Sequence, residues 1–103
     1  MVKKRKLDRA FRIGNIIVRY NRAIENHIAK HNVRIQEIVR CLENGKFLMM
    51  RIGDRDWAII AMNPDSGRFL TIFLEQLRKL EFRLKTARDS TDAEKRLYRK
   101  KQR

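Results

Sequence analysis

From Leu80 to Tyr98 the chain reads LEFRLKTARDSTDAEKRLY, and within this stretch its period changes once. Up to Thr86 apolar and polar residues alternate, Leu80, Phe82 and Leu84 against Glu81, Arg83 and Lys85, the pattern of a strand with one buried face. Thr91-Asp92-Ala93-Glu94 then fits a capping box: the threonine hydroxyl accepts from the glutamate N–H, and the glutamate carboxylate reaches back to the threonine N–H. A helix is expected to start there. Arg88 falls at the joint between strand and loop, where rigid neighbours can hold a cation that still faces a ligand. The expected ligand is phosphate.

A length of 103 residues implies one domain, with a modest core that needs neither a disulfide nor a structural metal. The single cysteine, Cys41, lies among Ile35, Ile38, Val39 and Leu42; it is expected to be a small buried hydrophobe in a reducing compartment, the alternative being a reactive thiol. No apolar run approaches the roughly twenty residues of a membrane span, and Met1-Val2-Lys3-Lys4-Arg5-Lys6 is not followed by a signal-peptide core. A cytoplasmic protein with no membrane partner is expected.

The net charge of +14, with a pI near 10.9, exceeds what solubility requires and points to a polyanionic partner, most often nucleic acid. It is concentrated at the ends: residues 1–12 hold six Lys or Arg against one Asp, and residues 94–103 hold six against one Glu. Two arms that hold a nucleic-acid backbone are favoured over two solvated ends, and such binding is salt-sensitive.

Residues 1–12 show no clear period and are expected to form a mobile basic arm, leaving 13–103 as the domain. Asn15 to Tyr20 is β-branched and aromatic and reads as a strand, with Asn21 as the N-cap of a short helix over Arg22 to His31. Asn32 accepts the left-handed conformation and ends it; a second helix carries Ile35, Ile38, Val39 and Leu42 and stops at Asn44-Gly45. KFLMMRI and DWAIIAM read as a hairpin about Gly53-Asp54-Arg55, and Asn63-Pro64-Asp65-Ser66-Gly67 as a strong turn. Phe69, Phe73, Leu77 and Leu80 fit a long helix, but Thr71, Ile72 and Phe73 favour two strands with a turn near Gln76 to Lys79. Trp57, Met49 and Met50 are expected in the core. The expected fold is α+β, in the order β-α-α-β-β-β-β-α, with helices packed on a curved antiparallel sheet.

The residues from about 16 to 100 resemble the BrnT toxins and related small proteins of the RelE superfamily. The likeness rests on Lys30, His31 and Val33 at a helix end, and on Ala87, Arg88, Glu94 and Tyr98 in a strand-to-helix element that closes the chain. Asn32 stands where that family has Gly, Thr86 where Ser is common, and Ser90 where Ala is common. The basic arm lies outside the pattern and leaves open a binding protein on the same fold without nuclease activity.

The resemblance implies a RelE-like fold and a metal-independent ribonuclease that needs no cofactor, stops translation and is held in check by an antitoxin protein. A homodimer is compatible with it. Such chemistry needs a proton acceptor for the 2′-OH, a cation on the phosphate and an acid for the leaving oxygen. The implied catalytic residues are Arg88 for the phosphate, His31 (with His27 as the weaker candidate) for proton transfer, and Tyr98 for stacking or proton donation. Lys30, Arg51, Arg68, Arg83, Lys85, Arg96, Arg99 and Lys100 are the candidates to hold the RNA backbone. Each has a plainer alternative. Arg88 pairs with Glu94 as a brace, His31 caps a helix end, Tyr98 packs, and the His27/His31 pair lacks a third ligand for zinc.

Overall fold

Phe11 and Ile13 alternate with Ala10 and Arg12, and the same alternation resumes after Gly14-Asn15 in Ile16 and Val18. In the computed structural model, which describes residues 6–101, these segments form a hairpin of β1 (Arg9–Ile13) and β2 (Ile16–Tyr20). Only Gly14 and Asn15 join them, and Gly14 has a φ of 57°, as a tight hairpin with glycine first in its loop requires. The segment expected to be a mobile arm therefore enters the sheet from Arg9 onward. Its alternation is real but is hidden because Arg9 takes an inward position, where it pairs with Glu25, and Ala10 an outward one. Of the rest of the expected arm, residues 6–8 lead into β1 and residues 1–5 lie outside the described residues, as does Arg103 at the other basic end.

The chain continues as α1 (Arg22–Ala29), α2 (Ile35–Leu42), β3 (Phe47–Arg51), β4 (Asp56–Met62), β5 (Phe69–Arg78), β6 (Glu81–Asp89) and α3 (Asp92–Lys101). One six-stranded sheet runs in the order β1-β2-β6-β5-β4-β3. Every neighbouring pair is antiparallel except β2 and β6, which are parallel. The sheet is thus mixed, not wholly antiparallel as expected. After β2 the chain crosses through both helices to the far edge, and the meander β3 to β6 fills the gap inward until β6 meets β2 in the same direction.

The fold is α+β, and its two sheet faces are covered unequally. One face carries Val18, Phe82, Leu84, Ala87, Leu70, Ile72, Leu74, Ile59 and Ala61, and it packs against Ile28, Val33, Ile35, Ile38, Cys41 and Leu42 of the two early helices and their link. Burial pushes the Cys41 thiol up to about 12, so it behaves as a small apolar side chain. Trp57 and Met49 pack at the edge of this core, whereas Met50 is half-buried and points to the second face by alternation. The second face carries Ala58, Ile60, Thr71 and Phe73, and α3 packs on it against β3 and β4. Among the described residues no helix is long and apolar enough to cross a membrane.

Two turns have direct explanations. Residues 69–84 form two strands rather than a long helix, joined at Lys79-Leu80, one turn position later than expected. Leu80 is consequently 47% exposed instead of beginning the buried side of the strand. At the end of α1, Asn32 has a φ of 60°, with the Val33 N–H donating to Ile28 O at 3.1 Å and the Asn32 N–H to Ala29 O at 2.9 Å. This is a Schellman end with asparagine in the left-handed place usually held by glycine. Asn32→Ala should lower stability by about 1 kcal/mol, because an ordinary side chain resists that conformation, while Asn32→Gly should not. Urea melts of the two variants check this.

Candidate nucleic-acid interface

Register and a bulge place Arg88. Phe82 and Leu84 of β6 face the core; the pairing with β5 slips between Phe73 and Leu74, leaving Lys85 extra, and Ala87 returns to the core. Thr86 and Arg88 are left on the second face, opposite Phe73 and Thr71 respectively. Ser90 and Thr91 then turn the chain into α3, whose carboxylate at Glu94 comes back over the end of β6.

The capping box forms as its sequence suggests. The Glu94 N–H donates to Thr91 Oγ1 at 3.2 Å, and the Thr91 N–H donates to Glu94 Oε1 at 2.8 Å. The same Oε1 accepts from Arg88 Nη1 and from the Thr71 hydroxyl, both at 2.8 Å, while Oε2 accepts from Arg88 Nη2 at 3.0 Å. A carboxylate only accepts, so the Thr71 hydroxyl is spent on Glu94 and the Ser90 hydroxyl, 2.8 Å away, must donate to Thr71. Arg88 Nη1 also donates to Asp89 O at 3.0 Å, and the guanidinium carbon lies 5.1 Å from the centre of the Phe73 ring.

Tyr98 stands edge-on to Phe69 at 5.4 Å and donates its hydroxyl to Lys46 O at 3.1 Å, tying α3 to the start of β3. Arg99 lies over the same Phe69 ring at 5.3 Å and Lys95 at 6.0 Å. Arg88 lies over Phe73, while Tyr98 and Arg99 gather about Phe69 four residues earlier on β5 and Tyr98 reaches Lys46 beside β3, so these side chains share the second face as two separate groups. Arg96 and Lys100 are exposed on α3. Arg83 and Lys85 lie further along β6 on the same face, paired with Glu75 at 2.7 Å and Asp56 at 3.2 Å. Arg19, opposite Arg83 on β2, pairs with Glu81, and Arg12 shares this face by register.

The remaining candidates lie elsewhere. His31 and Lys30 are exposed in the link between α1 and α2, on the helical side of the sheet, and the His31 ring stands edge-on to His27 at 5.6 Å. Arg51 closes its own hairpin by donating to Gly53 O at 3.1 Å and Asp54 O at 2.8 Å. Arg68 binds Asp89, Glu37 and Asn32 O at 2.7 Å each and His31 O at 3.3 Å, so it clamps the helix link to α2 and β6. Among the described residues no three metal-ligating side chains cluster. Thr71 and Phe73 escaped the sequence reading as site residues; the alternation of Phe69, Thr71 and Phe73 in GRFLTIF was the signal that could have placed them on Arg88's face.

The Arg88 guanidinium, aided by the Thr91 N–H and the Thr71 hydroxyl, holds the Glu94 carboxyl well below its usual 4.5, at about 2, against the opposing effect of burial. In the unfolded chain this group titrates near 4.5. The stability it adds is therefore complete above that value and is lost as the pH falls toward about 2. With the pair partly exposed, about 2 kcal/mol is the expected size. Glu94→Gln should unfold at lower urea than the wild type at pH 7, and the two midpoints should converge near pH 2 to 3, as urea melts across pH would record. Asp89, Asp65 and Glu81 are also shifted down by arginine partners, but they titrate in both proteins and do not remove the difference.

Compared with protein-family models, with curated proteins and with solved structures, the chain matches none.

Proposed function

We propose that this chain is a metal-independent, RNA-cleaving toxin of the RelE-like type, acting in the cytoplasm and restrained by an antitoxin protein. RNA lies on the second sheet face beside α3, and Arg88 stabilises the charge that grows on the scissile phosphate. The single observation that carries this reading is the Arg88 junction: an arginine oriented at a strand end against Phe73, on a face that also carries Phe69, Tyr98 and the basic side chains of α3. Tyr98 is the proton donor of this face. In this arrangement its hydroxyl is engaged by Lys46 O, from which RNA must draw it. His31, on the helical side, is assigned no part in the chemistry; the 2′-hydroxyl proton passes to solvent water as its oxygen bonds to phosphorus and the P–O5′ bond breaks.

A second reading, nucleic-acid binding without cleavage, is favoured by two features. Glu94 takes both terminal nitrogens of Arg88, and neither histidine lies on the Arg88 side of the sheet. Purified protein incubated with single-stranded RNA in EDTA separates the two. The proposal expects strand scission leaving 2′,3′-cyclic phosphate ends. Intact RNA, together with binding that weakens steeply between roughly 50 and 200 mM salt, would sink the nuclease and leave the binding module.

A further inference from the structure

We propose that Glu94 is a positioning residue, which turns one particular edge of the Arg88 guanidinium toward a phosphodiester; this rests on the sheet face beside α3 being the RNA site. A guanidinium is a planar fork with two usable edges: an end edge made of its two terminal nitrogens, and a side edge made of Nε–H and the nearer terminal N–H. Glu94 takes the end edge, with Oε1 on Nη1 at 2.8 Å and Oε2 on Nη2 at 3.0 Å. The second Nη1 hydrogen goes to Asp89 O at 3.0 Å. The donors left over are Nε–H and the second hydrogen of Nη2, and together these are the side edge. That parallel pair matches two oxygens of one phosphate.

Glu94 can impose this orientation because it is itself held. Thr71, 1% exposed near the start of β5, and the Thr91 N–H at the start of α3 both donate to its Oε1, and Ser90 supports Thr71 by donating to its hydroxyl. The Phe73 ring lies under the guanidinium and limits its tilt. The Arg88 side chain nonetheless stays 36% exposed, so the group is oriented without being covered. A carboxylate beside a bound phosphate also repels it. Glu94 therefore acts against affinity while it favours the oriented state, and this gives its removal a signature distinct from that of a simple brace.

Glu94→Gln keeps the shape but can accept on one side only, and its amide N–H₂ opposes the Nη2 of Arg88. In single-turnover cleavage of a short RNA, kcat should fall by about tenfold or more while KM stays level or falls. Thr71→Val, which removes an anchor without touching Arg88, should shift kcat in the same direction by about threefold. If both variants cleave like the wild type per folded molecule and only the melting temperature drops, the inference is overturned and Glu94 is a brace. If the wild type does not cleave RNA at all, the nuclease reading fails while this inference is still decided by side-chain NMR. The ¹⁵Nε–H signal of Arg88, assigned with Arg88→Lys, should move when a 2′-O-methyl RNA oligonucleotide is added to the wild type and not when it is added to Glu94→Gln. No movement in the wild type, or equal movement in both, contradicts it.

Discussion

Arg68→Ala should lower the stability of this protein by about 3 kcal/mol while changing its affinity for RNA by less than about threefold. Arg68 lies just ahead of β5, and its side chain is 23% exposed, against 18% for its partner Glu37. Its guanidinium joins three parts of the chain: the carbonyls of His31 and Asn32 in the left-handed turn, the Glu37 carboxylate of α2, and Asp89 at the end of β6. Truncation leaves Glu37 half-buried with only the Asn63 amide, at 3.1 Å, to satisfy it, and frees both turn carbonyls at once. Charge-assisted bonds contribute roughly 1.5–3 kcal/mol each when broken one-sidedly, and they are not additive within one network. Urea unfolding measures the first effect and fluorescence anisotropy with labelled RNA the second. A variant of normal stability that had lost its RNA affinity would return Arg68 to the backbone-holding role that its charge alone suggests.

Arg88→Ala should abolish cleavage, by about 100-fold or more, with a stability loss of only about 1–2 kcal/mol. The contrast with Arg68 follows from what each leaves behind. When Arg88 is removed, Glu94 still accepts from the Thr91 N–H and the Thr71 hydroxyl, so its carboxylate is not orphaned and the cap of α3 persists. Arg88→Lys keeps the charge but loses the planar fork, and it should recover less than a tenth of the lost rate. Rate assays in EDTA alongside thermal melts of the same preparations distinguish the outcomes. A large fall in melting temperature with an unchanged rate per folded molecule would make Arg88 a brace.

These contrasts show which parts of the chain could be read in advance. The β6-to-α3 joint was legible because two independent local rules meet there: alternation from Phe82 to Leu84 and the Thr91/Glu94 box, each of which forms its element. The Asn21 cap, the left-handed Asn32 and the Gly67 turn were legible for the same reason, since each is a property of a few adjacent residues. What failed was long-range or masked. β1 was hidden because Arg9 takes an inward position and Ala10 an outward one, and the parallel contact of β2 with β6 depends on where a distant meander ends. The charged candidates separated for a similar reason. Arg51, Arg68 and Arg88 look alike in sequence, but Arg51 answers to its own hairpin carbonyls, Arg68 to the helix link, and Arg88 to a carboxylate that leaves one edge of its fork toward solvent.

The proposed RNA-binding face is tested most directly by an amide NMR titration with a 2′-O-methyl oligonucleotide, which avoids the complication of cleavage. The account predicts that shifts concentrate on Thr71, Phe73, Arg83 and Thr86 to Arg88 of β5 and β6 and on Lys95 to Arg99 of α3. Shifts centred instead on His27, Lys30 and His31, with the β6 and α3 signals unmoved, would contradict it.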